Sequence, residues 1–528
     1  MLRTGDKPSA TIAQHMHDAL ACRFGNGHNG VIFAARSCCR AGINKRTRTE
    51  SREAPMEHEE LTKKIDAYLE DNWETMVDDI ATLVRIPSFQ EEDKAAEGAP
   101  FGPGPKEALT AALKLAGDMG FKTHDAEGYI GFADFPGKSE TQLGIIGHMD
   151  VVPAGPGWTF EPYAVTRKEG YLVGRGTLDD KGPSVVALHA MKFWKDLQDA
   201  GEVPEFPYTI RFLFGANEES GMADVAYYHK HYEDPAFLFT PDAEFPVCYG
   251  EKGGYDGVIA SKPIADRVVL EFTGGAATNA VPGIAEAVVK ADAANLPNTD
   301  RITVTADGEG RAKLTAAGKG AHASMPDEGV NAIGLIVDYL LEYDLCTADE
   351  RAFFELDQKL LNHTDGSGIG IKSSDEYFGP LTVIGGTIKI EDDRFVQTLD
   401  SRFSSSITAD EISERLRQLT DEIGGTFENT LLMVPFLVKP DSPVIQALLN
   451  AYNEATGEDA KPFTMGGGTY AREFKSGASF GPEKPWIKDP EWVGMMHGPD
   501  EGVSEDLLKQ SFKIYALTLD KLMQLDLQ

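Results

Sequence analysis

Apolar positions at helical spacing mark the first well-patterned segment of the chain, which begins at Met56. They recur every three or four residues, which predicts an amphipathic helix: Leu61, Ile65, Leu69, Met76, Ile80, Leu83 and Val84. Short apolar runs follow as GYIGFADF, QLGIIGHMDVV, YTIRFLFGANEE and AFLFTPDAE, and KGPSVVALHAMKFWKDL between them has a helical pattern. Strands and helices that alternate in this way indicate an α/β fold with a mixed, mainly parallel sheet covered on both faces.

The pattern changes near residue 250, where apolar and polar residues alternate with a period of two. VVLEFTGG, ITVTADG and AKLTAAGKGAHAS predict strands, and NAIGLIVDYLLEY predicts a helix. A similar order of elements follows, so we predict an inserted α+β domain of two related halves over residues 250–434. The first pattern then returns, and residues 56–249 and 435–528 form one discontinuous domain in this prediction.

The first 55 residues differ from the rest because they contain more Lys and Arg than Asp and Glu. They show no sustained amphipathic pattern and no apolar core of a secretory signal. We expect residues 1–55 to be a disordered N-terminal extension, with a targeting segment as the alternative interpretation.

The formal net charge of −34 indicates which classes of molecule the chain is expected to bind. Nucleic acids and anionic membranes would repel such a chain, whereas a cationic ligand or a metal ion is favoured. No stretch reaches the roughly 20 apolar residues of a membrane-spanning helix. The five cysteines are too few for a disulfide framework, which favours a cytoplasmic location.

Metal-ligand residue types follow the ends of three predicted strands. His148 and Asp150 follow one apolar run, and Asp242 follows another. Glu218 and Glu219 follow a third. Ligands of open α/β sheets bind beyond the carboxyl ends of the strands. Each residue alone is also compatible with a structural role, because histidines after strands and paired surface glutamates are common.

Two further segments carry the same residue types. Asp179 and Asp180 lie between glycines just before a helix, and His497 lies in the loop MMHGPDEG. The two aspartates alone would also fit N-cap residues. Together, imidazoles and carboxylates without cysteine suit zinc, cobalt or manganese in an open catalytic site. The carboxylates exceed what one ion needs, so two ions with a bridging carboxylate and a bridging water are expected, and a spare glutamate would be the general base.

Six motifs in order resemble the dinuclear zinc peptidases related to carboxypeptidase G, aminoacylase and carnosinase: HMDVVPAGPGW, GRGTLDDKGP, NEESG, PDAEFP, GKGAHASMP and MHGPDE. The PepV-type dipeptidases within this group are the closest likeness. The resemblance covers the chain from Met56 to its C-terminus.

This resemblance implies a ligand set for two zinc ions per subunit, with cobalt or manganese as alternatives. His148 and Asp242 would bind one ion, Glu219 and His497 the other, and Asp179 both. The peptide between Asp179 and Asp180 would be cis. Asp150 would orient His148, and Glu218 would be the general base that takes the proton of the zinc-bridged water and passes it to the leaving amine.

The inserted domain would be a lid by the same resemblance. His322 would hydrogen-bond the oxyanion of the tetrahedral intermediate, with a turn histidine as the alternative. Asn279 and Arg402 would hold the substrate, and Arg402 would form a fork on its free carboxylate. Gly467 and Thr469 belong to TMGGGTYAR, which resembles the substrate loop of the family. Because a long lid of this kind supplies His322 in cis, a monomer is expected.

We therefore predict a metallopeptidase that hydrolyses dipeptides, and the resemblance extends this to Xaa-His or β-alanyl substrates. An N-acyl-amino-acid or succinyl-diaminopimelate amidohydrolase is the alternative, because it would share the same metal core. An inactive binding relative is disfavoured, since every ligand position and Glu218 are present.

Overall fold

Amphipathic segments form the helices of residues 58–527, the part of the chain that this computed structural model describes. The first predicted helix is confirmed as His58–Val84, with Leu61 and Ile65 on its buried face. Thr347 and Thr408 begin two helices through capping boxes, which satisfy free backbone N–H groups at the helix start. The described α-helices are His58–Val84, Pro103–Asp118, Lys181–Asp199, Ala223–His231, Ala332–Glu342, Ala348–Leu361, Ala409–Glu422, Pro443–Thr456 and Glu505–Met523.

The larger sheet is mixed, with parallel strands concentrated at its centre. Ser139–His148 pairs in parallel with both Tyr208–Gly215 and Phe237–Thr240. Several outer pairs, such as Ile130–Phe135 with Tyr208–Gly215, are antiparallel. The predicted α/β fold is thus confirmed. In spatial order its strands are Lys122–Ala126, Ile130–Phe135, Tyr208–Gly215, Ser139–His148, Phe237–Thr240, Gly477–Ser479, Cys248–Glu251 and Phe436–Leu437, with Phe463–Met465 paired to Cys248–Glu251 beside this path.

The second sheet is antiparallel, as expected for strands that alternate apolar and polar residues. Its two groups of four strands meet at a single pair, Gly274 with Ile388. The relation between the two halves stays a prediction. In spatial order the strands are Ile302–Ala306, Ala312–Ala317, Ile284–Val289, Val269–Gly274, Thr382–Glu391, Arg394–Phe403, Gly253–Ala260 and Thr426–Met433.

Short elements complete the described chain and fix several loops. Gly502–Ser504 pairs with Tyr171–Val173, which pairs with Thr166–Lys168. The remaining strand pairs are Ala280–Val281 with Ala321–His322, Ser374–Asp375 with Gly379–Pro380, and Ala243–Glu244 with Pro482–Glu483. The 3-10 helices are Glu92–Lys94, Glu218–Ser220, Ala293–Asn295, Pro326–Glu328 and Tyr470–Glu473.

The buried apolar side chains form two main clusters, one on each large sheet. One cluster draws on residues 61–249 and 445–523, and the other draws on residues 255–419. The described residues, 58–527, nevertheless belong to one compact unit. The predicted domain boundaries at 249/250 and 434/435 fall between the clusters. The division into two domains therefore remains a prediction that the separation of the cores supports.

The predicted extension, residues 1–55, lies outside the described residues. Within residues 58–527, no helix has the length and apolar character needed to span a membrane. Of the described cysteines, Cys248 is buried and Cys346 is half-buried, and both are free thiols.

Candidate metal centre

Three neighbouring parallel strands bring the candidate ligands to one edge of the larger sheet. His148 is the last residue of Ser139–His148, and Asp242 comes two residues after Phe237–Thr240. Glu218 and Glu219 begin a 3-10 helix shortly after the strand on the other side of Ser139–His148. The buried interiors of these strands are apolar, so polar groups collect where the strands end.

Asp179 lies between two groups of side chains that each have the geometry to hold a metal ion. On one side its Oδ1 is 2.8 Å from His148 Nε2, which is 3.7 Å from Asp242 Oδ2. On the other side its Oδ2 is 2.9 Å from His497 Nε2, which is 3.1 Å from Glu219 Oε2. Within each group the ligand atoms all lie within 4.8 Å of one another. The two oxygens of Asp179 thus face different groups, as a bridging ligand requires.

The loop that carries Asp179 is fixed by Glu501. Three backbone N–H groups of residues 176–179 donate to Glu501 Oε1 at 2.9–3.2 Å. The guanidinium of Arg175 donates to Glu501 Oε2 and, at 3.2 Å, to the carbonyl oxygen of Gly498. Because Gly498 directly follows a candidate ligand histidine, this buried ion pair holds the loops of two candidate ligands against each other.

Asp180 supports the same centre. The peptide bond that joins it to Asp179 is cis, as predicted. Its Oδ2 accepts the backbone N–H of His148 at 3.1 Å and the hydroxyl of Ser184 at 2.8 Å. The Asp180 side chain makes no capping hydrogen bond to Lys181–Asp199. Asp180 thus occupies the N-cap position, as the alternative interpretation expected, but its carboxylate supports His148 instead of capping the helix.

Asp150 contacts both a candidate ligand histidine, His148, and the turn that carries Glu218 and Glu219. His148 Nδ1 donates to the backbone oxygen of Asp150 at 3.0 Å and lies 3.6 Å from its Oδ1. The two carboxylate oxygens of Asp150 accept the backbone N–H groups of Glu218 at 3.2 Å and Glu219 at 3.1 Å. The backbone oxygen thus directs Nε2 of the ring towards Asp179, and the carboxylate fixes the two glutamates.

The acidic groups of the centre repel one another because they are buried together. Burial, and then the charge of Asp179, raises the pKa of Asp242 to about 7. Burial, and then the charge of Asp242, raises the pKa of Glu218 well above its usual range. Hydrogen bonds with Asp179 and Glu219 raise the pKa of His497 to about 11. Carboxylates and imidazoles crowded in this way fit divalent cations, which neutralise the repulsion.

A second group of predicted site residues lies on the smaller sheet and its loops. His322 Nδ1 accepts the backbone N–H of Ser324 at 3.2 Å, which assigns the ring proton of the neutral form to Nε2. Burial, and then the charge of Arg402, lowers the pKa of His322, so the neutral form is favoured. The backbone oxygen of Asn279 accepts the N–H of the residue after His322 at 3.0 Å. Arg402 Nη1 donates to the carbonyl oxygen of Gly466 at 3.3 Å.

The glycine loop between residues 465 and 473 contacts both groups. Thr469 is buried, and its Oγ1 donates to Glu251 Oε1 at 2.8 Å. Arg472 Nη1 lies 3.4 Å from Glu251 Oε2. The ring of Tyr470 lies 6.4 Å from that of His148, measured between centroids. The loop therefore links the metal centre to the residues around Arg402.

The predicted ligands come together, whereas the predicted lid residues form a group of their own. Among residues 58–527, neither His322 nor Arg402 makes a hydrogen bond or ion pair to a candidate ligand. Gly467 lies on the glycine loop beside Gly466, and its role in binding stays a prediction. Sequence reasoning missed Glu501, although it lies inside the motif MHGPDE. Its position directly before the buried strand Gly502–Ser504 was the available signal.

Comparison with known proteins adds evidence of relationship. A profile of Peptidase family M20/M25/M40 matches residues 144–521. The YtjP protein of Bacillus subtilis (strain 168) is 31% identical over 464 residues, which cover 85% of this chain and 97% of that protein. The Beta-Ala-Xaa dipeptidase of Lactobacillus delbrueckii subsp. lactis is 32% identical over 462 residues, which cover 84% of this chain and 95% of that enzyme.

A solved structure supports the fold alone. The di-peptidase Dug1p of Saccharomyces cerevisiae superposes with a TM-score of 0.53 at 13% identity. The superposition covers 88% of this chain and 99% of that one. The fold is therefore shared over almost the whole of that protein.

Proposed function

Because this chain belongs to peptidase family M20/M25/M40 and is a hydrolase of peptide bonds, we propose that it cleaves dipeptides with two divalent metal ions at the centre described above. Membership of this family confirms the resemblance that the six motifs predicted. The observation that carries the proposal is the position of Asp179, whose two oxygens face separate groups of metal-ligand side chains. The name of the Lactobacillus relative supports dipeptides, including β-alanyl ones, as the substrate class.

The side chains of the centre fit two ions. His148 and Asp242 would hold one ion, Glu219 and His497 the other, and Asp179 both. Imidazole nitrogen and carboxylate oxygen are donors that suit zinc, with cobalt or manganese as alternatives. When bound, the ions would supply Lewis-acid polarisation of the scissile carbonyl and would lower the pKa of a water molecule.

Glu218 is the residue that we assign to proton transfer. It belongs to neither ligand group, yet Asp150 holds its backbone directly beside the ligand Glu219. Its carboxylate would take a proton from the attacking water and donate it to the nitrogen of the leaving amine. The same oxygen atoms thus serve both halves of the reaction.

The inserted segment would supply the groups that bind the substrate. With its proton on Nε2, His322 would donate a hydrogen bond to the oxyanion. Arg402 and Asn279 would hold the substrate, with Arg402 on the C-terminal carboxylate. Gly466 packs directly against Ser324 of the same chain, which supports a histidine acting in cis and hence a monomer. The small number of cysteines supports a cytoplasmic location.

The two neighbouring glutamates offer a matched test of these roles. Glu218→Gln is expected to lower kcat by about 10²–10⁴-fold while metal content stays at the wild-type level, because only proton transfer is lost. Glu219→Gln is expected to lower metal content, measured by mass spectrometry of the purified protein. Full activity of Glu218→Gln would remove it from the mechanism.

A substrate panel separates the proposed function from its alternative. Dipeptides with free amino and carboxyl groups, including β-Ala-His, are compared with N-acyl amino acids by kcat/KM on one protein sample. Higher kcat/KM for the dipeptides is expected. Preference for N-acyl amino acids would instead identify an amidohydrolase with the same centre.

A further inference from the structure

Arg402 already binds one carboxylate, that of Asp400. Arg402 Nε donates to Asp400 Oδ1 at 2.9 Å, and Nη2 donates to Oδ2 at 2.6 Å, which is the paired geometry of a guanidinium with a carboxylate. Both side chains are buried. Together with the bond from Nη1 to Gly466, these are its hydrogen bonds to the described residues. A guanidinium has more N–H groups than these contacts use, so Nη1 and Nη2 can still receive a ligand.

A second aspartate lies opposite Asp400 on the neighbouring strand. Asp256 is the register partner of Asp400 in the pairing of Gly253–Ala260 with Arg394–Phe403, so the two side chains are close. Asp256 Oδ1 is buried, and no donor from residues 58–527 reaches it. Burial, and then the charge of Asp400, raises the pKa of Asp256 to about 7. Two facing carboxylates repel each other when both are ionised, which favours a proton on Asp256.

We propose that Asp400 and Asp256 form an acid pair that fixes the fork of Arg402 for the C-terminal carboxylate of the substrate. This inference rests on the proposed function, in which Arg402 binds that carboxylate. Asp400 orients the guanidinium through two hydrogen bonds, and Asp256 holds Asp400 from the other side. Both are positioning residues, because the substrate would touch only Arg402.

The pair also sets the charge that the substrate meets. With one proton on the pair, a single negative charge faces the positive charge of Arg402, and an incoming carboxylate meets no net repulsion. A second negative charge there would repel the carboxylate strongly, because the site is buried. Nearby, His322 is neutral in its favoured form, and Arg472 adds a positive charge. The acid pair thus makes the site selective for a substrate with a free carboxylate.

The test compares a dipeptide with the same dipeptide bearing a C-terminal carboxamide, which lacks the charge that Arg402 would bind. In Asp400→Asn, KM for the dipeptide is expected to rise about tenfold, because the loss of the hydrogen-bonded pair that orients Arg402 outweighs the removal of one negative charge from the site. The KM for the carboxamide and both kcat values are expected to stay within about twofold of wild type. If Asp400 had only a structural role, KM would change alike for both substrates, and this result would overturn the inference.

Variants of Asp256 test its proton independently, and they remain informative if Asp400→Asn folds poorly. Asp256→Asn keeps a donor to Asp400 and is expected to retain the wild-type KM. Asp256→Ala removes the donor and is expected to raise KM for the dipeptide alone. Equal KM values for these two variants would overturn the role of Asp256.

Asp357→Asn is the matched control, because Asp357 is another buried aspartate of residues 250–434 and is not among the described hydrogen-bond partners of Arg402. It is expected to show wild-type KM for both substrates. A wild-type protein that cleaves neither substrate would refute the proposed function itself. If the wild type is active and Asp400→Asn shows the wild-type ratio of KM for the dipeptide to KM for the carboxamide, only the role of the acid pair is refuted.

Discussion

Asp357 lies buried on the helix Ala348–Leu361 without a counter-charge among the described residues, which makes the stability of the protein depend on pH. The residue is 3% exposed, and its Oδ2 has no hydrogen-bond partner among residues 58–527. Burial alone raises the pKa of Asp357 to about 8, from an ordinary value of 3.8. The carboxyl group is therefore neutral in the folded protein at neutral pH. Asp357→Asn replaces it with a neutral amide of the same shape.

The direction of the change in stability with pH depends on whether the folded or the unfolded state binds the proton of Asp357 more tightly. The folded state holds the proton up to about pH 8, whereas the unfolded chain releases it near pH 4. The stabilising contribution is thus complete below the unfolded pKa and is lost as pH rises through the folded value. Between pH 5 and pH 9, the unfolded chain is ionised throughout, whereas the folded protein keeps the proton up to about pH 8. The free energy of unfolding therefore falls over about three pH units by about 1.4 kcal/mol each, or about 4 kcal/mol in total.

Chemical denaturation of wild type and Asp357→Asn at pH 5, 7 and 9 measures this contribution. All five tryptophans lie outside residues 250–434, so far-ultraviolet circular dichroism is the suitable probe for the segment that carries Asp357. The free-energy difference between the variants should shift by about 4 kcal/mol in favour of Asp357→Asn from pH 5 to pH 9. A difference that stays constant with pH would show that Asp357 is not a buried neutral acid.

Three further outcomes test other parts of the structure. Removal of metal by a chelator should abolish activity, and zinc, cobalt or manganese should restore it; activity indifferent to chelation would contradict the metal centre. Glu501→Gln should weaken metal binding about 10–100-fold, as measured by competition with a chromophoric chelator, because the N–H groups that place Asp179 lose a charged acceptor. Thr347→Ala should lower the unfolding free energy by about 1 kcal/mol in denaturation experiments, since a capping box is lost.

The clustering of the candidate metal ligands was predictable because strand direction and apolar pattern are both visible in a sequence. An apolar run that ends in His148 or just before Asp242 must place these residues at the carboxyl end of a buried strand. Parallel strands then bring the ends together. The helix Ala348–Leu361 was also accessible, because Thr347 and Glu350 form a capping-box pattern, yet it was not predicted.

The acid pair behind Arg402 could not be predicted from the sequence in the same way. Asp400 is two residues from Arg402, but Asp256 is far away in the chain and becomes its neighbour only through the register of two strands. A shift of one residue would turn Asp256 to the other face of the sheet. The partners of Glu501 are a similar case, since they depend on a loop that folds back onto residues 176–179.

The glycine loop gives a physical reason why the proposed enzyme would prefer dipeptides to longer peptides. Gly466 binds Arg402 at one end of the loop, and Tyr470 lies against His148 at the other. Glu251 holds Thr469 between them through two hydrogen bonds, so the spacing of the ends is fixed by a buried carboxylate. A substrate must then place its scissile carbonyl at the metal centre and its carboxylate at Arg402 across one constant distance. Each additional residue after the scissile bond would carry the carboxylate up to about 3.5 Å beyond Arg402, so the substrate would lose its hydrogen bonds to the guanidinium.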